Sequence, residues 1–579
     1  MSVMKEIEAQ LLSAFQNKGY ELEKVQLLKS NRKELGDFQL NDAMKLAKIM
    51  HKSPLVIANE MKEILEQTNL FSNITIAGVG FINLTFKDEI LVQFIQEIKQ
   101  NPEKNIDKLS NDTIIIDYGG ANIAKTLHVG HLRSANIGEG LKRLARHLGK
   151  TVISDVHFGD IGRQSGMVIY EIKQRYPHLN YFSGKQEEQW DELPITGKDL
   201  EEIYPLASQK AKENENIMEE VRNITAELEK GNPGYTALWN QIKKISIQDI
   251  KEIYKRLHTD FDLWEGESDC YPYMGPMLET LTKEGYLIDS EGAKVIEVKE
   301  ETDTAPMPAL VVVKNDGATL YATRELATLD SRMKRFSPDE IWYLTDNRQS
   351  LYFTQVFRAA YKTKIVPETT KLYNFSFGTM NGADGKPFKT RDGNTATLTS
   401  LLESVKAEIL TKMMDAKMSE EEKNDIAEKV MIAAVKYADF LPNRMTDYIF
   451  DPAKFIDVEG KTGPYLLYAT IRMKSLLSKV ENLNVAFQKI TDEYVKEIVL
   501  LLLDKAAILT KAYMTKELNV IADYLYNLTS AYNRFYEHNR ILTEKDEVTK
   551  ESWIALTKLV FDTNVELLTI LSIEIPEKM

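Results

Sequence analysis

Two histidines three residues apart, His128 and His131, are the side chains best placed in this sequence to bind a phosphate. They follow an apolar stretch, Thr113-Ile-Ile-Ile-Asp117, and a Gly/Asn loop, and a helical pattern then runs from Leu132 to Leu148. A loop that leads into a helix presents unpaired backbone N–H groups to an anion. On a first helical turn the two imidazoles share one face, and Gly130 between them lets a ligand approach the backbone. The spacing predicts a polyphosphate site.

A second candidate site lies far along the chain, in Met380-Asn-Gly-Ala-Asp-Gly-Lys-Pro-Phe-Lys-Thr-Arg-Asp-Gly393. It carries three glycines together with Lys386, Lys389 and Arg391, and a mobile cationic segment of this kind can close over phosphates. Its composition fits a flexible surface loop equally well. We expect this loop and the two histidines to converge on a single nucleotide.

Composition sets limits on the class of protein. The 579 residues suggest about three to five domains, and 43% hydrophobic with 28% charged residues is an ordinary globular balance. No apolar run reaches membrane-spanning length, and Met1–Glu6 lacks the apolar core of a signal peptide. The single cysteine, Cys270, excludes a disulfide framework or a cysteine-based zinc site and favours a reducing cytoplasm. We expect no protein-bound structural metal.

The net charge of −14 argues against indiscriminate nucleic-acid binding, but an acidic body can still carry a local basic surface. Such a surface is possible in the last part of the chain, where aromatic and cationic side chains alternate. Tyr468, Arg472, Arg534, Tyr536 and Arg540 are examples. They could stack on unpaired bases and contact phosphates, although aromatics at helical spacing more often form a core.

The patterning divides the chain into three predicted domains. Residues 1–107 have the mixed helix and strand pattern of a small α+β domain. Residues 108–450 alternate strand, helix and strand at the spacing of a βαβ unit, which implies a parallel sheet. Within them, a charged helical stretch from about 175 to 258 indicates an insertion with a solvated face. Residues 451–579 are almost wholly helical and predict a bundle.

The motifs together resemble those of the class I aminoacyl-tRNA synthetases, and among these the arginyl-tRNA synthetases. His128-Val-Gly-His131 matches the first class signature, and Lys386-Pro-Phe-Lys-Thr390 matches the second at both lysines, with Thr in place of Ser. The more specific likeness lies in the stretches Gly36-Asp-Phe-Gln39, Gly78-Val-Gly-Phe-Ile-Asn83, Ala121-Asn-Ile-Ala-Lys125, Tyr321-Ala-Thr-Arg324, Glu459-Gly-Lys-Thr-Gly-Pro-Tyr465 and Ile575-Pro-Glu-Lys-Met579. Because these stretches keep the family order, the resemblance spans essentially the whole chain.

The resemblance implies an α/β fold, with a Rossmann-type parallel-sheet catalytic domain, a small α+β N-terminal domain that docks tRNA, and an all-α anticodon-binding bundle. It implies that L-arginine, ATP with Mg²⁺ and tRNA(Arg) are the substrates, and that arginyl-tRNA, AMP and pyrophosphate are the products. It also implies that activation generally needs the tRNA, and that the protein is a cytoplasmic monomer without membrane association.

The resemblance also implies roles for individual residues. The implied catalytic residues are His128, His131, Lys386 and Lys389. The implied arginine-binding residues are Asp117, Asn122, Tyr321, Glu325 and Gln349. The implied ATP-binding residues are Lys125, Gly130, Tyr352 and Thr390, and the implied tRNA-binding residues are Arg472, Arg534 and Tyr536. Carboxylates suit this substrate because a guanidinium is planar, permanently charged and carries five N–H donors.

Two positions depart from the family pattern, because Glu325 stands where Asp is usual and Tyr352 where His is usual. The Glu325 carboxylate reaches one methylene further, and Tyr352 can hydrogen-bond or stack but supplies no positive charge near neutral pH. We further expect a basic stripe that binds tRNA phosphates, drawn from Lys142, Arg143, Arg146, Lys461, Arg472, Lys474, Arg534 and Arg540.

Three alternatives fit part of the sequence. A class I synthetase for glutamate, glutamine or cysteine would share both signatures, although the cysteine-specific enzymes usually carry metal-binding cysteines. A small-molecule nucleotidylyltransferase would share the His-x-Gly-His signature but would leave residues 440–579 unexplained. A noncatalytic paralogue that only binds RNA would have no need of His128, His131 and Lys389.

Overall fold

The computed structural model describes residues 1–30, 32, 34–315, 317–382, 385–386, 397–414 and 417–579. Their contacts group into two units. One unit comprises Met1–Ser110, His147–Gly149 and Asp457–Met579, and the other comprises Asn111–Arg146 and Lys150–Ile456. The boundaries predicted near residues 107 and 450 remain a prediction. No helix among the described residues is long and apolar enough to cross a membrane.

The strands belong to four sheets. They are β1 Leu28–Lys29, β2 Phe38–Leu40, β3 Phe71–Ala77, β4 Phe81–Phe86, β5 Thr113–Asp117, β6 Thr151–Asp155, β7 Ile288–Ser290, β8 Ala293–Ile296, β9 Leu310–Val313, β10 Glu340–Asp346, β11 Lys371–Phe377, β12 Met380–Asn381 and β13 Tyr448–Ile449. In the first unit, β1-β2-β4-β3 is an antiparallel sheet. In the second unit, β11-β10-β5-β6 is parallel, β7-β8-β9 is antiparallel, and β12 pairs with β13. These orders refer to the described ranges.

Helices make up much of the rest. They are α1 Val3–Gln16, α2 Asp42–Met50, α3 Pro54–Gln67, α4 Asp88–Gln100, α5 Val129–His147, α6 Arg163–Arg175, α7 Gly197–Glu213, α8 Glu215–Glu229, α9 Pro233–Arg256, α10 Tyr271–Lys283, α11 Tyr321–Phe336, α12 Ser350–Lys362, α13 Leu398–Lys412, α14 Glu420–Phe440, α15 Pro452–Phe455, α16 Gly463–Leu477, α17 Glu493–Thr515, α18 Asn519–His538 and α19 Glu547–Ile570. α7, α8 and α9 occupy the predicted insertion, and α16 to α19 form the predicted helical end of the chain.

Buried apolar side chains of the central strand β5 stabilise the parallel sheet. Ile114, Ile115 and Ile116 of β5 are fully buried, because helices cover both faces of such a sheet. Each buried isoleucine contributes roughly 1.5–3 kcal/mol. β5 pairs with β6 on one side and β10 on the other, so all three strands end at one edge of the sheet. Loops at this carboxyl edge commonly bind ligands in α/β proteins.

α5 begins at Val129, three residues before the start predicted from the apolar pattern. His131 therefore lies in its first turn and His128 immediately precedes it. The predicted strand over residues 113–117 has the observed bounds. The sequence correctly places the pair of histidines at a strand–loop–helix junction, although His131 lies inside the helix rather than before it.

Candidate active site

The two imidazoles stand side by side, with ring centroids 4.0 Å apart. The Gly130 N–H donates to His128 Nδ1 at 3.1 Å, so a neutral His128 carries its proton on Nε2. A Cβ at Gly130 would lie 2.9 Å from the His128 ring, which explains the glycine between the histidines. Burial lowers the pKa of His131 to about 3, and burial together with Lys125 lowers the pKa of His128. Near pH 7 both rings are neutral hydrogen-bonding groups rather than cations.

The segment that follows the lysine-bearing loop (residues 380–393) lies beside the two histidines. Thr397 forms an antiparallel bridge with His128, and the Leu398 N–H donates to the Leu127 carbonyl at 2.8 Å. Lys386 is exposed near the start of the loop, and its carbonyl accepts from the Gly382 N–H at 2.8 Å. Lys389 and Thr390 lie outside the described residues, so their contact with a nucleotide remains a prediction.

Arg133 joins the base of that loop to the histidine helix. Its guanidinium donates to the Gly378 carbonyl at 2.8 Å and to the Thr446 carbonyl at 3.0 Å, and its Nε lies 3.0 Å from Asp439 Oδ1. The side chain of Arg133 is buried, so these contacts are shielded from water. The start of α5 therefore positions the two histidines, and the same helix also contacts the segment that precedes the loop.

An internal arginine already occupies the predicted acidic site. Arg332 Nη2 lies 2.6 Å from Asp117 Oδ2 and 2.7 Å from Asp155 Oδ2, and Arg332 Nη1 donates to the Tyr343 hydroxyl at 3.1 Å. Asp117 and Asp155 end β5 and β6. The Asp117 carboxylate is thus largely neutralised by the protein itself. Its predicted contact with substrate arginine would have to use its remaining acceptor capacity.

Glu325 carries an unsatisfied acceptor at the same site. Its side chain is only 2% exposed, and Oε1 has no hydrogen-bond partner among the residues that the structure describes. Burial raises the pKa of Glu325, and the Asp117 carboxylate adds to this, whereas His157 and Arg332 oppose it. A buried acceptor without a partner is costly, and a cationic N–H donor from a ligand would relieve that cost.

Aromatic residues stand next to this carboxylate. The rings of Tyr321 and Tyr352 have centroids 5.1 Å apart, and Tyr321 remains 39% exposed. Burial, followed by the charge of Glu325, raises the pKa of Tyr352. Its hydroxyl also lacks a partner within the described part of the chain. Tyr352 therefore stands with the predicted arginine-binding residues, while its predicted ATP contact remains a prediction.

His157 completes the polar cluster. Its Nδ1 lies 3.7 Å from Asp155 Oδ2, and its φ of 42° is left-handed. Burial alone would lower the pKa of His157, but Asp155 and Asp117 outweigh it and raise the pKa to about 9. These three side chains have ligand atoms within 4.8 Å of one another. The Arg332 guanidinium lies between the two carboxylates, however, so the cluster does not fit a metal cation.

The remaining predicted contacts are spread along the same sheet edge. Asn122 bridges to Gly159 beyond β6, and Gln349 is exposed in the turn after β10. Lys125 Nζ lies 4.8 Å from the centre of the Tyr204 ring. All three residues follow or adjoin strand ends of the sheet, as the sequence predicts, and their roles in binding remain predictions.

Family models match three consecutive parts of the chain. "Arginyl tRNA synthetase N terminal domain" covers residues 2–86, "tRNA synthetases class I (R), catalytic domain" covers residues 93–452, and "DALR anticodon binding domain" covers residues 466–579. The chain is 43% identical to the arginine–tRNA ligase of Alkaliphilus oremlandii, over 100% of both chains. It is 40% identical to that of Agathobacter rectalis, over 99% of both. The chain belongs to the arginyl-tRNA synthetase family.

A solved structure of an arginyl-tRNA synthetase shares the fold. The enzyme from Plasmodium falciparum is 21% identical, with a TM-score of 0.81 over 100% of this chain and 99% of that chain. The predicted architecture is therefore confirmed, with a class I catalytic domain on a parallel sheet, an N-terminal domain and a helical C-terminal domain. The family membership predicted from the motifs is confirmed as well.

The arginyl-tRNA synthetase family includes an anticodon-binding domain, and the corresponding helices here line a cavity of about 900 Å³. Its lining includes Tyr468, Arg472, Lys474, Tyr536 and Arg540. The Arg472 guanidinium lies 4.8 Å from the centre of the Tyr468 ring and 5.5 Å from that of Tyr536. A cation between two aromatic rings suits stacking on bases. The predicted roles of these residues in RNA binding remain predictions.

The predicted basic stripe is wrong at Lys142. Its side chain is only 4% exposed and lies 2.7 Å from Glu139, so it neutralises an internal carboxylate. Arg143 contacts the same carboxylate at 2.6 Å, and Arg146 lies 2.7 Å from Asp262. The pattern of spaced cations on α5 looked like a surface stripe because sequence alone does not show these acidic partners. Three further members also have acidic partners: Lys461 with Asp523, Lys474 with Glu577 and Arg534 with Glu497.

Several polar residues of the site were not selected from the sequence. Arg332 and His157 belong to the acidic cluster, and Glu267 pairs with Arg324 at 2.6 Å. Asp155-Val-His157 stands at the carboxyl end of β6, on the ligand edge of the sheet, and that position was an available signal. Glu267 and Arg332 gave no local signal, because their partners are 57 and 215 residues away.

Proposed function

We propose that the chain is an arginine–tRNA ligase that uses ATP to join L-arginine to the 3′ end of tRNA(Arg). In the first step the arginine carboxylate attacks the α-phosphorus of MgATP, giving arginyl-adenylate and pyrophosphate. In the second step the terminal ribose hydroxyl of the tRNA attacks the adenylate carbonyl and releases AMP. The observation that carries this proposal is the unsatisfied Glu325 carboxylate at the sheet edge that also bears the two imidazoles.

The first step requires positioning and charge stabilisation rather than a protein nucleophile. His128 and His131 are suited to bind the α-phosphate, because neutral imidazoles can donate N–H groups to its oxygens. Lys389, assisted by Lys386, is assigned to the departing pyrophosphate. Loss of one such preorganised contact typically costs about 3 kcal/mol, roughly a hundredfold in rate. Lys125, Gly130, Tyr352 and Thr390 complete the proposed ATP site.

Arginine recognition is assigned chiefly to Glu325. Asp117 is engaged by Arg332 and Glu267 by Arg324, whereas Glu325 Oε1 has no partner in the described ranges. A charged donor on that oxygen would gain about 1.5–3 kcal/mol. Tyr321 would cover the guanidinium, and Asn122 and Gln349 would hold the α-amino and carboxylate end. A neutral analogue such as citrulline would lose the charged contact.

We assign tRNA binding to the N-terminal and C-terminal segments, with Arg472, Arg534 and Tyr536 at the anticodon. The cytoplasm and a monomeric state are proposed from the usual behaviour of this family. We propose that Mg²⁺ enters with ATP and that the protein binds no structural metal, in keeping with the Arg332 guanidinium that fills the acidic cluster.

Pyrophosphate exchange tests the proposal. The purified protein is incubated with MgATP, labelled pyrophosphate and each of the twenty amino acids in turn, with and without tRNA(Arg). We expect exchange with arginine alone, and only when tRNA is present. Exchange with glutamate, glutamine or cysteine would point to another class I specificity. No exchange with any amino acid, in a preparation that still binds tRNA, would point to a noncatalytic RNA-binding protein.

A further inference from the structure

One face of α9, within the helical insertion, contacts both loops at the ligand edge of the sheet. Trp239, Lys243, Ser246 and Tyr254 lie three, four or eight residues apart, the spacing of a single helix face. Trp239 Nε1–H donates to the Asp160 carbonyl at 2.8 Å, and Lys243 Nζ lies 3.2 Å from Asp160 Oδ2. The sequence predicted a solvated insertion, yet this face packs on the loop that follows β6.

The same face also holds the loop that leads to the histidines. The Tyr254 hydroxyl donates to the Gly119 carbonyl, and Ser246 Oγ accepts from the Ala124 N–H at 3.0 Å. Ala124 has a φ of 59°, a left-handed conformation that a residue with a Cβ adopts at a cost. Ser246 is only 5% exposed, so water does not readily replace its hydroxyl. The loop conformation thus depends on a hydrogen bond from the insertion.

Ala124 is the residue before Lys125 and lies four positions before His128. The backbone conformation at Ala124 therefore determines where Lys125 and the two imidazoles are placed. On the other side the loop is fixed by Gly159, whose carbonyl accepts from the Ile123 N–H at 3.0 Å. Loss of the hydrogen bond to Ser246 would free the Ala124 N–H, while the hydrogen bond from the Ile123 N–H to the Gly159 carbonyl would remain.

We propose that Ser246 is a positioning residue for ATP, holding Ala124 in its left-handed conformation and thereby placing Lys125 and the two histidines. The inference rests on the proposed function, because it assigns those residues to nucleotide binding. It concerns ATP rather than arginine, because Asn122, which lies in the same loop and is assigned to the α-amino end of arginine, is held separately by its bridge to Gly159. The helical insertion is therefore part of the machinery that shapes the ATP site.

The test is Ser246→Ala in the full chain, assayed by pyrophosphate exchange with arginine and tRNA(Arg). We expect the KM for ATP to rise about tenfold, the effect of one buried hydrogen bond left unsatisfied, with the KM for arginine unchanged. The melting temperature should stay within a few degrees of wild type. Ser246→Thr keeps the hydroxyl and should restore most of the ATP affinity, which a purely structural loss would not predict.

Gln248→Ala is the matched control, because Gln248 lies on the exposed face of α9 and donates to Glu252 in the next turn of the same helix. It should leave both KM values at wild-type levels. A Ser246→Ala protein with a wild-type KM for ATP would overturn the inference, as would a fall in kcat with no change in either KM. Absence of exchange in the wild-type protein would instead reject the proposed function, so the two failures are distinguishable.

Discussion

At the residue scale, the internal arginines compete for the carboxylates to which the sequence assigns substrate arginine, and that assignment remains a prediction. Four acidic side chains stand at this site, of which Arg332 binds Asp117 and Asp155 and Arg324 binds Glu267. Glu325, one methylene longer than the Asp usual in the family, extends into this buried site and retains an unpaired oxygen. The longer side chain therefore does not point away from the cluster. The aromatic pair of Tyr321 and Tyr352 lies beside it.

Glu325→Gln should weaken arginine binding specifically. The amide keeps the side-chain volume but removes the charge that we assign to binding the guanidinium, so we expect the KM for arginine to rise about ten- to a hundredfold. The KM for ATP should change less than twofold. Steady-state pyrophosphate exchange measures both constants. Asp330→Asn, on the same helix but paired at the surface with Lys334, is the matched control, and an unchanged KM for arginine in Glu325→Gln would contradict the assignment.

The raised pKa of His157 predicts a pH-dependent contribution to stability. The folded protein retains the His157 proton to about pH 9, whereas an unfolded histidine loses it near pH 6.5. The stabilisation is therefore complete below pH 6.5 and is lost as pH rises through 9, and it amounts to up to about 3 kcal/mol.

His157→Gln should accordingly lower the melting temperature most at pH 6 and hardly at all near pH 9.5. Scanning fluorimetry of both proteins in matched buffers across this range measures the difference. A gap between wild type and His157→Gln that widens toward high pH would contradict the assigned charge. His131 has a pKa near 3, so its imidazole should remain unprotonated in the folded protein between pH 5 and 9.

The sequence predicted the positions of the site histidines and of the carboxylate at the end of β5 better than it predicted which residues they contact. Histidines at a strand–loop–helix junction are recognisable from spacing alone, and so is a carboxylate at a strand end. The Asp117–Arg332 contact is not, because it joins residues 215 positions apart. For the same reason the cations of α5 were expected at the surface. The acids that neutralise them come from the same helix and from the stretch near Asp262.

At the scale of elements, α5 links the two signature segments. Its first turn carries His131 and directly follows His128, and its second turn carries Arg133, which binds the carbonyls of Gly378 and Thr446. The lysine-bearing loop begins at Met380, two residues after Gly378. The described structure resumes at Thr397, which forms a bridge with His128. The predicted convergence of the two segments is thus supported at the described ends of the loop.

This link predicts that Arg133 affects the rate of activation as well as stability. Arg133→Met should destabilise the protein by about 3–5 kcal/mol, because it leaves Asp439 buried without its cation. In Arg133→Met/Asp439→Asn both charges are removed while the amide oxygen can still accept from Asn136, so we expect most of the stability to return. The exchange rate should remain about a hundredfold low, because the bonds to Gly378 and Thr446 are still missing. Melting temperature and kcat measured on both variants separate the two effects, and full recovery of kcat in the double variant would contradict a positioning role.

The elements themselves were predictable where the periodicity was strong. β5, α5 and β6 were found with errors of three residues or fewer at each end, because a run of isoleucines and an amphipathic helix leave clear patterns. β11 escaped notice: its pattern of Lys371, Tyr373 and Asn374 shows no continuous apolar run. It is an edge strand, and its parallel pairing with β10 comes from tertiary contact rather than local propensity.

At the scale of the whole chain, the first and last segments form one unit. Asn105 Nδ2 donates to the Leu502 carbonyl at 3.0 Å, and Gln96 Nε2 donates to the Phe487 carbonyl at 2.8 Å. Lys496 of α17 lies 3.5 Å from the buried Asp37. Burial raises the pKa of Asp37, and Lys496 opposes that rise. The α+β segment and the helical bundle therefore share buried contacts, a relation that separate sequence patterns could not reveal.

Deletion of residues 1–110 should consequently loosen α17 in the remaining chain. α17 packs against α1 and α4, so deletion exposes part of its apolar surface and removes the hydrogen bond from Asn105 to the Leu502 carbonyl. We expect hydrogen exchange in Glu493–Thr515 to accelerate at least tenfold, while β5 in the other unit keeps its protection. Lys496→Met in the full chain is a graded control: it leaves the packing in place and removes only the cation beside Asp37, so the acceleration should be smaller. Unchanged exchange in α17 after the deletion would show that the bundle is stable without the first segment, and that their contacts add little to its free energy of unfolding.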